Sequence, residues 1–269
     1  MNNRQLIVSS SPHVRDDTSV SKIMWSVVIA LLPALFASIY FFGVRALLIT
    51  VVSVIGAVVT EYIFLRFRGK KISIDDGSAV ITGILLALTL PASIPYWMVF
   101  LGSIVAIALG KQIFGGLGHN PFNPALVGRA FLVAAYPVSM TEWIAPVDGV
   151  STATPLNLIG QGVMTEYWDL FIGRVAGSMG ETSAFALILG AIYLIYKGYI
   201  SWQIPAGMLG TVFILTFIAG EDPIFHLLAG GLLIGALFMA TDMVTSPVTK
   251  RGRWIFGIGA GVLVVIIRL

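Results

Sequence analysis

Cysteine is absent from all 269 residues. Its absence excludes disulfides, cysteine-ligated iron–sulfur clusters and thioether-linked haem from this chain, so any electron carrier it holds is organic. Charge is scarce too, at 11% Asp, Glu, Lys and Arg against 57% hydrophobic residues. A mean hydropathy of +0.94 goes with that balance and excludes an ordinary soluble domain. Histidine is limited to His13, His119 and His226, which form no ligand pair at helical spacing. No Gly-x-Gly-x-x-Gly follows a strand pattern, so a nucleotide-binding domain is not expected. The first 21 residues carry Arg4 and Arg15 and no apolar core, so a cleavable secretory signal is not expected either. The net charge of +3 is spread over loops and does not point to nucleic acid.

What is present is a series of apolar runs. They predict helices at about 22–41, 44–65, 78–90, 96–114, 123–136, 182–196, 200–218, 224–240 and 254–268, an all-α polytopic membrane protein in one integral membrane domain over 1–269. The third and fifth runs are too short to span a bilayer core. They follow Asp75-Asp76-Gly77 and Asn120-Pro121-Phe122-Asn123-Pro124, which predicts discontinuous segments entered by irregular backbone. Asn123 before Pro124 is a good helix start, and Asp76 is expected to cap the third helix.

Basic residues orient these helices. With a cytoplasmic N-terminus, the inner side receives Arg4, Arg15, Lys22, Arg66, Arg68, Lys70, Lys71, Lys111, Lys197, Lys250, Arg251 and Arg253. The outer side receives Arg45, Arg174 and Arg268. The positive-inside rule then places the long polar loop 137–181 outside the cytoplasm.

The chain also repeats itself. Gly83, Leu85 and Thr89 match Gly235, Leu237 and Thr241 at one constant offset; Trp97, Gly102, Val105 and Lys111 match Trp254, Gly259, Val262 and Arg268 at another. Each matched pair of helices is five apart, so the two members cross in opposite directions. This predicts an inverted five-plus-five repeat, with a first repeat over 1–136, a loop over 137–181 and a second repeat over 182–269. The predicted tenth helix is absent from this sequence. Paired broken segments point to a functional centre at the repeat interface.

Within the long loop lies Val147-Asp148-Gly149-Val150-Ser151-Thr152-Ala153-Thr154-Pro155-Leu156-Asn157. Its composition alone is that of an ordinary turn. It equally suits a hydroxyl that a modifying enzyme must reach, because the neighbours are small. Three other charged or polar residues fall in or beside apolar runs. Arg129 within the fifth helix either makes a structural ion pair or faces an anion or polar cavity. Glu61 near the inner end of the second either snorkels towards water or joins a polar pathway with Arg129 and Asp242. Asp242 borders the inner end of the eighth helix with Thr241 and Thr245.

The segment 148–156 (DGVSTATPL) resembles the flavinylation motif of the D subunit of Rnf-type electron-transport complexes and the B subunit of sodium-pumping NADH:quinone oxidoreductases. Residues 10–15 (SSPHVR), 75–83 (DDGSAVITG), 118–125 (GHNPFNPA) and 240–247 (ATDMVTSP) are also similar to family signatures. The resemblance implies FMN joined through its phosphate to Thr154, with Asp148, Gly149, Ser151, Thr152 and Ala153 read by a flavin transferase outside the cytoplasm. It implies a second, noncovalent riboflavin, for which the glycine-rich stretches 77–83 and 115–123 are the first places to look. It further implies a relay of electrons between ferredoxin and NAD, coupled to sodium or proton translocation in a bacterial or archaeal cell membrane. The partners implied are a periplasmic-facing flavoprotein subunit and iron–sulfur subunits. The short N-terminal tail favours the Rnf-type member of the two. From composition and periodicity alone, a solute channel or transporter with inverted repeats is the competing expectation.

Overall fold

A computed structural model describes residues 18–70, 72–146, 149–181 and 183–269. The expected signature at 10–15, Lys71, Val147, Asp148 and Thr182 lie outside the described residues.

Helices α1 (Val20–Phe42) and α2 (Val44–Phe67) are long and apolar enough to cross a membrane. They meet at Gly43, whose positive φ of 69° turns the chain between them. Then follow α3 (Ser78–Leu88), α4 (Tyr96–Ile107) and α5 (Pro124–Ala135). α4 continues as a π-helix over Ala108–Gln112. The long loop carries three short helices, α6 (Pro137–Thr141), α7 (Pro155–Ile159) and α8 (Tyr167–Ile172). The second half consists of α9 (Ala184–Tyr196), α10 (Gln203–Ile218), α11 (Pro223–Leu228), α12 (Leu232–Ile234) with a π-helical continuation over Gly235–Met239, and α13 (Lys250–Arg268). No named strand occurs among the described residues; one isolated bridge joins Ile144 to Ser151.

Most of the predicted helices occur within a few residues of their expected limits. The start at Asn123 is realised as a cap, its side-chain oxygen accepting from the amides of Ala125 at 3.0 Å and Leu126 at 3.4 Å. Asp76 does the equivalent for α3 from one residue further out. Its Oδ1 accepts from the Ser78 amide at 2.8 Å, while Gly77, with φ 83°, occupies the cap position itself.

The run 224–240, expected as one helix, is broken. Ala229, Gly230 and Gly231 leave helical geometry between α11 and α12, and Gly230 has a φ of 69°. Periodicity cannot locate such a break, because the residues on both sides remain apolar. The π-helices in α4 and after α12 escape it for the same reason, since one wide turn preserves apolar character.

The open helix ends are satisfied by protein. The carbonyls of Leu88 and Leu90, at the end of α3, accept from the amides of Gly180 at 2.6 Å and Met179 at 3.1 Å. At the break after α11, Arg268 donates to the carbonyls of His226 at 2.5 Å and Ala229 at 2.8 Å. Backbone lacking intrahelical partners survives in an apolar surrounding only with such donors and acceptors.

One apolar core draws on both halves. Leu31, Ile49, Leu86 and Leu88 from the first are fully buried with Ala191, Leu194 and Ile234 from the second. α1 lies along α9, and α10 along α13. The α1–α9 approach depends on Gly190: a Cβ there would stand 2.0 Å from the Ala30 carbonyl oxygen. Gly190→Ala is therefore expected to force the two helices apart and cost about 1–3 kcal/mol, as overpacking does. The check is a lower thermal midpoint of the detergent-solubilised protein. Opposite the core, Ile29, Phe36 and Tyr40 of α1 and Ile255, Leu263 and Ile266 of α13 remain exposed, forming an apolar outer surface suited to lipid.

Candidate functional sites

The loop around Thr154 is folded back on itself. Ala145 donates to the Val150 carbonyl at 2.8 Å and Thr152 to that of Trp143 at 3.0 Å, bracketing Gly149, which has a φ of 67°. Ser151 and Thr152 are exposed, whereas Ala153 and Thr154 are half-buried. Thr154 then starts α7. Its carbonyl accepts from Asn157 and Leu158, but its hydroxyl makes no capping bond. The threonine is held by its backbone and its Oγ is left uncommitted.

Thr154 opens onto a cavity with about 910 Å³ of free space, part of it open to solvent. Trp143, Leu156, Asn157, Val175 and Ala176 line it with Arg129 of α5, Glu181, Gly230, Gly231 and Arg268 of α13. Leu156 and Arg268 both close on Gly230: a Cβ there would stand 2.9 Å from Leu156 Cδ1 and 3.1 Å from Arg268 Nη2. The hydroxyl-bearing turn is thus seated on the break between α11 and α12. Arg268 is fixed by the two carbonyls of that break and Glu181 accepts from the Ser178 amide at 3.4 Å. Arg129 has no hydrogen bond or ion pair among the described residues, and it lines the cavity. Two cations and one carboxylate give the lining a net positive charge suited to an anion.

Nearby, at the start of α11, the Tyr167 hydroxyl donates to Asp222. That bond raises the Tyr167 phenol above its ordinary value. Burial acts to raise the Asp222 carboxyl, but the bond from Tyr167 and the amides of Phe225 and Ile224 outweigh it, and the net shift is downward. A lowered carboxyl contributes stability above its ordinary range and loses it as pH falls through the lowered value.

A second cavity, of about 750 Å³, joins stretches far apart in sequence. Ser78, Ile81 and Thr82 of α3 line it with Lys111, Leu117, Asn120 and Asn123, and with Thr241 and Asp242 after α12. The two glycine-rich stretches therefore meet at one site, and Asp242 faces it. Asp242 accepts from the Val244 amide at 3.2 Å and the Thr245 hydroxyl at 3.4 Å.

Glu61 does not snorkel. It is 2% exposed and bound to Lys111, itself 1% exposed, with Nζ 2.7 Å from Oε1 and 2.9 Å from Oε2. Gln112 Nε2 donates to Glu61 at 3.0 Å, Lys111 Nζ to Ser78 Oγ at 2.6 Å, and Ser78 Oγ to Asp76 Oδ1 at 2.5 Å. Lys111, expected on the inner side near the end of the fourth helix, is the centre of a buried chain along the cavity wall. The π-helix turns Lys111 and Gln112 inward together, a displacement that residue counting at 3.6 per turn misses. Asp242 lines the second cavity, Glu61 adjoins it through Lys111, and Arg129 lines the first.

An all-helical membrane protein with two cavities, one beneath a loop threonine whose hydroxyl has no partner among the described residues and one walled by a buried ion pair, is what these residues build. The chain belongs to the NQR2, RnfD, RnfE family, whose model matches residues 7–269. It is 51% identical to the D subunit of a proton-translocating ferredoxin:NAD(+) oxidoreductase complex of Clostridium ljungdahlii, over 97% of this chain and 86% of that protein. It is 49% identical to the D subunit of a Na(+)-translocating ferredoxin:NAD(+) oxidoreductase complex of Acetobacterium woodii, over 100% of this chain and 87% of that protein. The D subunit of an ion-translocating oxidoreductase complex of Stutzerimonas stutzeri is 39% identical over 93% and 83%.

Sequence reasoning missed Glu181, Arg268 and Trp143 as cavity residues. Glu181 closes the long loop and Arg268 ends the last helix, and only the break at 229–231 brings them to Thr154. Their one sequence signal was the pairing of Lys111 with Arg268 in the repeat.

Proposed function

We propose that this chain is the flavin-bearing membrane subunit of an Rnf-type complex that transfers electrons between ferredoxin and NAD and couples the transfer to ion translocation. The observation that carries the flavin reading is Thr154, an uncommitted hydroxyl on an ordered backbone at the rim of a positively charged cavity. FMN joined there through its phosphate would supply the one- and two-electron chemistry, which no side chain of this cysteine-free protein can. The chain's part is to hold and orient it: Thr154 as anchor, the small residues Gly149, Ser151, Thr152 and Ala153 giving access to the flavin transferase with Asp148 beside them, and Arg129 and Arg268 supplying cationic surroundings.

The inverted repeat has geometric support. Lys111 and Arg268 are matched by sequence, and the offset that relates α3 to the eighth run matches Ser78 with Gly230. Lys111 reaches Ser78 at the start of α3, and Arg268 closes on Gly230 at the start of α12. One cation therefore sits at the corresponding break in each half, and each cavity adjoins one of these breaks. The cavity at Ser78 is the counterpart of the one at Thr154, and we assign it to the noncovalent riboflavin. The charge asymmetry supports a cytoplasmic N-terminus, with the Thr154 loop extracytoplasmic and the riboflavin cavity towards the cytoplasm. A periplasmic-facing flavoprotein subunit and iron–sulfur subunits are the partners for electron exchange. The ion is open between sodium and proton, since relatives of nearly equal identity are named for each.

The test of the second site is to fill it. In the purified complex, Ile81→Trp is expected to remove at least nine-tenths of the noncovalent riboflavin released on denaturation, while fluorescence bound to this chain persists. Unchanged release from a stably assembled variant would sink the assignment of this cavity.

A further inference from the structure

Among the described residues, Arg129 is a cation with no side chain to answer it. It is the sixth residue of α5, half-buried, and lines the Thr154 cavity without a hydrogen bond or ion pair among the described residues. Arg268, the other guanidinium of that cavity, is held by two carbonyls, and Glu181 is bonded to the Ser178 amide. An intramembrane ionisable residue that faces a cavity points to a functional site, and a guanidinium there suits an anionic ligand group.

Depth decides which part of the ligand that anion is. α5 runs six residues beyond Arg129 to Ala135, about 9 Å at 1.5 Å per residue, before the chain enters the loop that carries Thr154. The phosphate must bond directly to Thr154 at the cavity rim. A ring directed into the cavity from that anchor would approach Arg129, which lines the same cavity.

We infer that Arg129 is a counter-ion for the reduced isoalloxazine ring of the flavin anchored at Thr154, a role that rests on the attachment reading above. A flavin held there would take up two electrons, supplied ultimately by ferredoxin or NADH according to direction, with one proton, and so would gain one negative charge on its ring for Arg129 to answer. A guanidinium in a partly dry cavity favours the anion over the neutral ring and so raises the midpoint potential. Arg129 is in this sense a positioning and tuning residue, and the phosphodiester is left to Thr154 and the rim.

The experiment uses the whole complex, co-expressed with flavin transferase, carrying wild-type chain, Arg129→Gln or Arg129→Lys. Covalent flavin is read by in-gel fluorescence. The potential of that flavin is read by redox titration against a Thr154→Ala complex as difference reference. The expected result is fluorescence retained in all three, the Arg129→Gln flavin harder to reduce by at least tenfold in its reduced-to-oxidised ratio at fixed potential, and Arg129→Lys within threefold of wild type. Tenfold corresponds to about 30 mV for a two-electron couple. Retained fluorescence with an unchanged ratio in Arg129→Gln would overturn the inference and leave attachment standing. Fluorescence lost in Arg129→Gln but present in wild type would also overturn it, by placing the guanidinium at the attachment step. Its absence from wild type, in a preparation where the transferase labels another protein of the complex, would instead overturn the attachment reading itself.

Discussion

Thr154→Ala is expected to reduce the in-gel flavin fluorescence of this subunit to background and to lower ferredoxin:NAD electron transfer by at least a hundredfold, with the protein still assembled in the membrane. The physical reason is that the substitution removes the hydroxyl proposed to anchor the phosphate and little else. The Thr154 hydroxyl makes no cap or turn hydrogen bond, and the turn is closed by backbone bonds from Asn157 and Leu158. Alanine keeps those bonds, and the small cost of a lost threonine side chain at a half-buried position does not unfold the loop. Ser151→Ala and Thr152→Ala serve as neighbours: both side chains are exposed, and each is expected to alter the rate of labelling rather than its presence. Equal fluorescence in wild type and Thr154→Ala would move the attachment to another hydroxyl or remove it altogether.

The second large effect concerns the buried ion pair. Lys111→Met should destabilise the protein by about 3–5 kcal/mol, because it strands the Glu61 carboxylate in an apolar surrounding with only the Gln112 amide as donor. The Ser78 hydroxyl, which accepts from Lys111 and donates to Asp76, loses its donor as well. Glu61→Gln combined with Lys111→Met removes both charges and should recover most of the loss, since paired buried charges contribute little beyond what apolar replacements give. Thermal unfolding in detergent, together with the amount of assembled complex in membranes, distinguishes the cases. A single variant as stable as the double would mean that water reaches Glu61. Because the pair borders the cavity assigned to riboflavin, the double variant also reports function: normal stability with diminished noncovalent flavin would tie Lys111 to the ligand.

Much of this was set by local chemistry. Apolar runs place most of the helices, since an apolar stretch bounded by turn residues has few other folds in lipid. Asn123 before Pro124 marks the start of α5, and Asp76 serves the first turn of α3, because a side-chain oxygen and a free amide two residues on need no distant partner. Thr154 is likewise a local matter. Its small neighbours and its place before Pro155 set its accessibility.

What remained illegible depended on long-range pairing. In sequence Glu61 is either a snorkelling carboxylate or part of a polar pathway and Lys111 an inner-side cation of the fourth helix; only the π-helix after α4 turns Lys111 onto Glu61, fifty positions away in the chain. The break at 229–231 is invisible to apolar patterning, because it is stabilised by a guanidinium from the far end of α13 rather than by its own residues. Composition alone favoured a transporter; motif resemblance changed that reading, and the packing then gave Thr154 its cavity. The membrane class, the helix order and the small-residue turn at Thr154 follow from the order of residues alone, all set within a turn or two of one another. Which charges are buried, which helices break and which cations line the Thr154 cavity were decided by the fold, because each of those depends on electrostatic and hydrogen-bonding partners that only folding brings together.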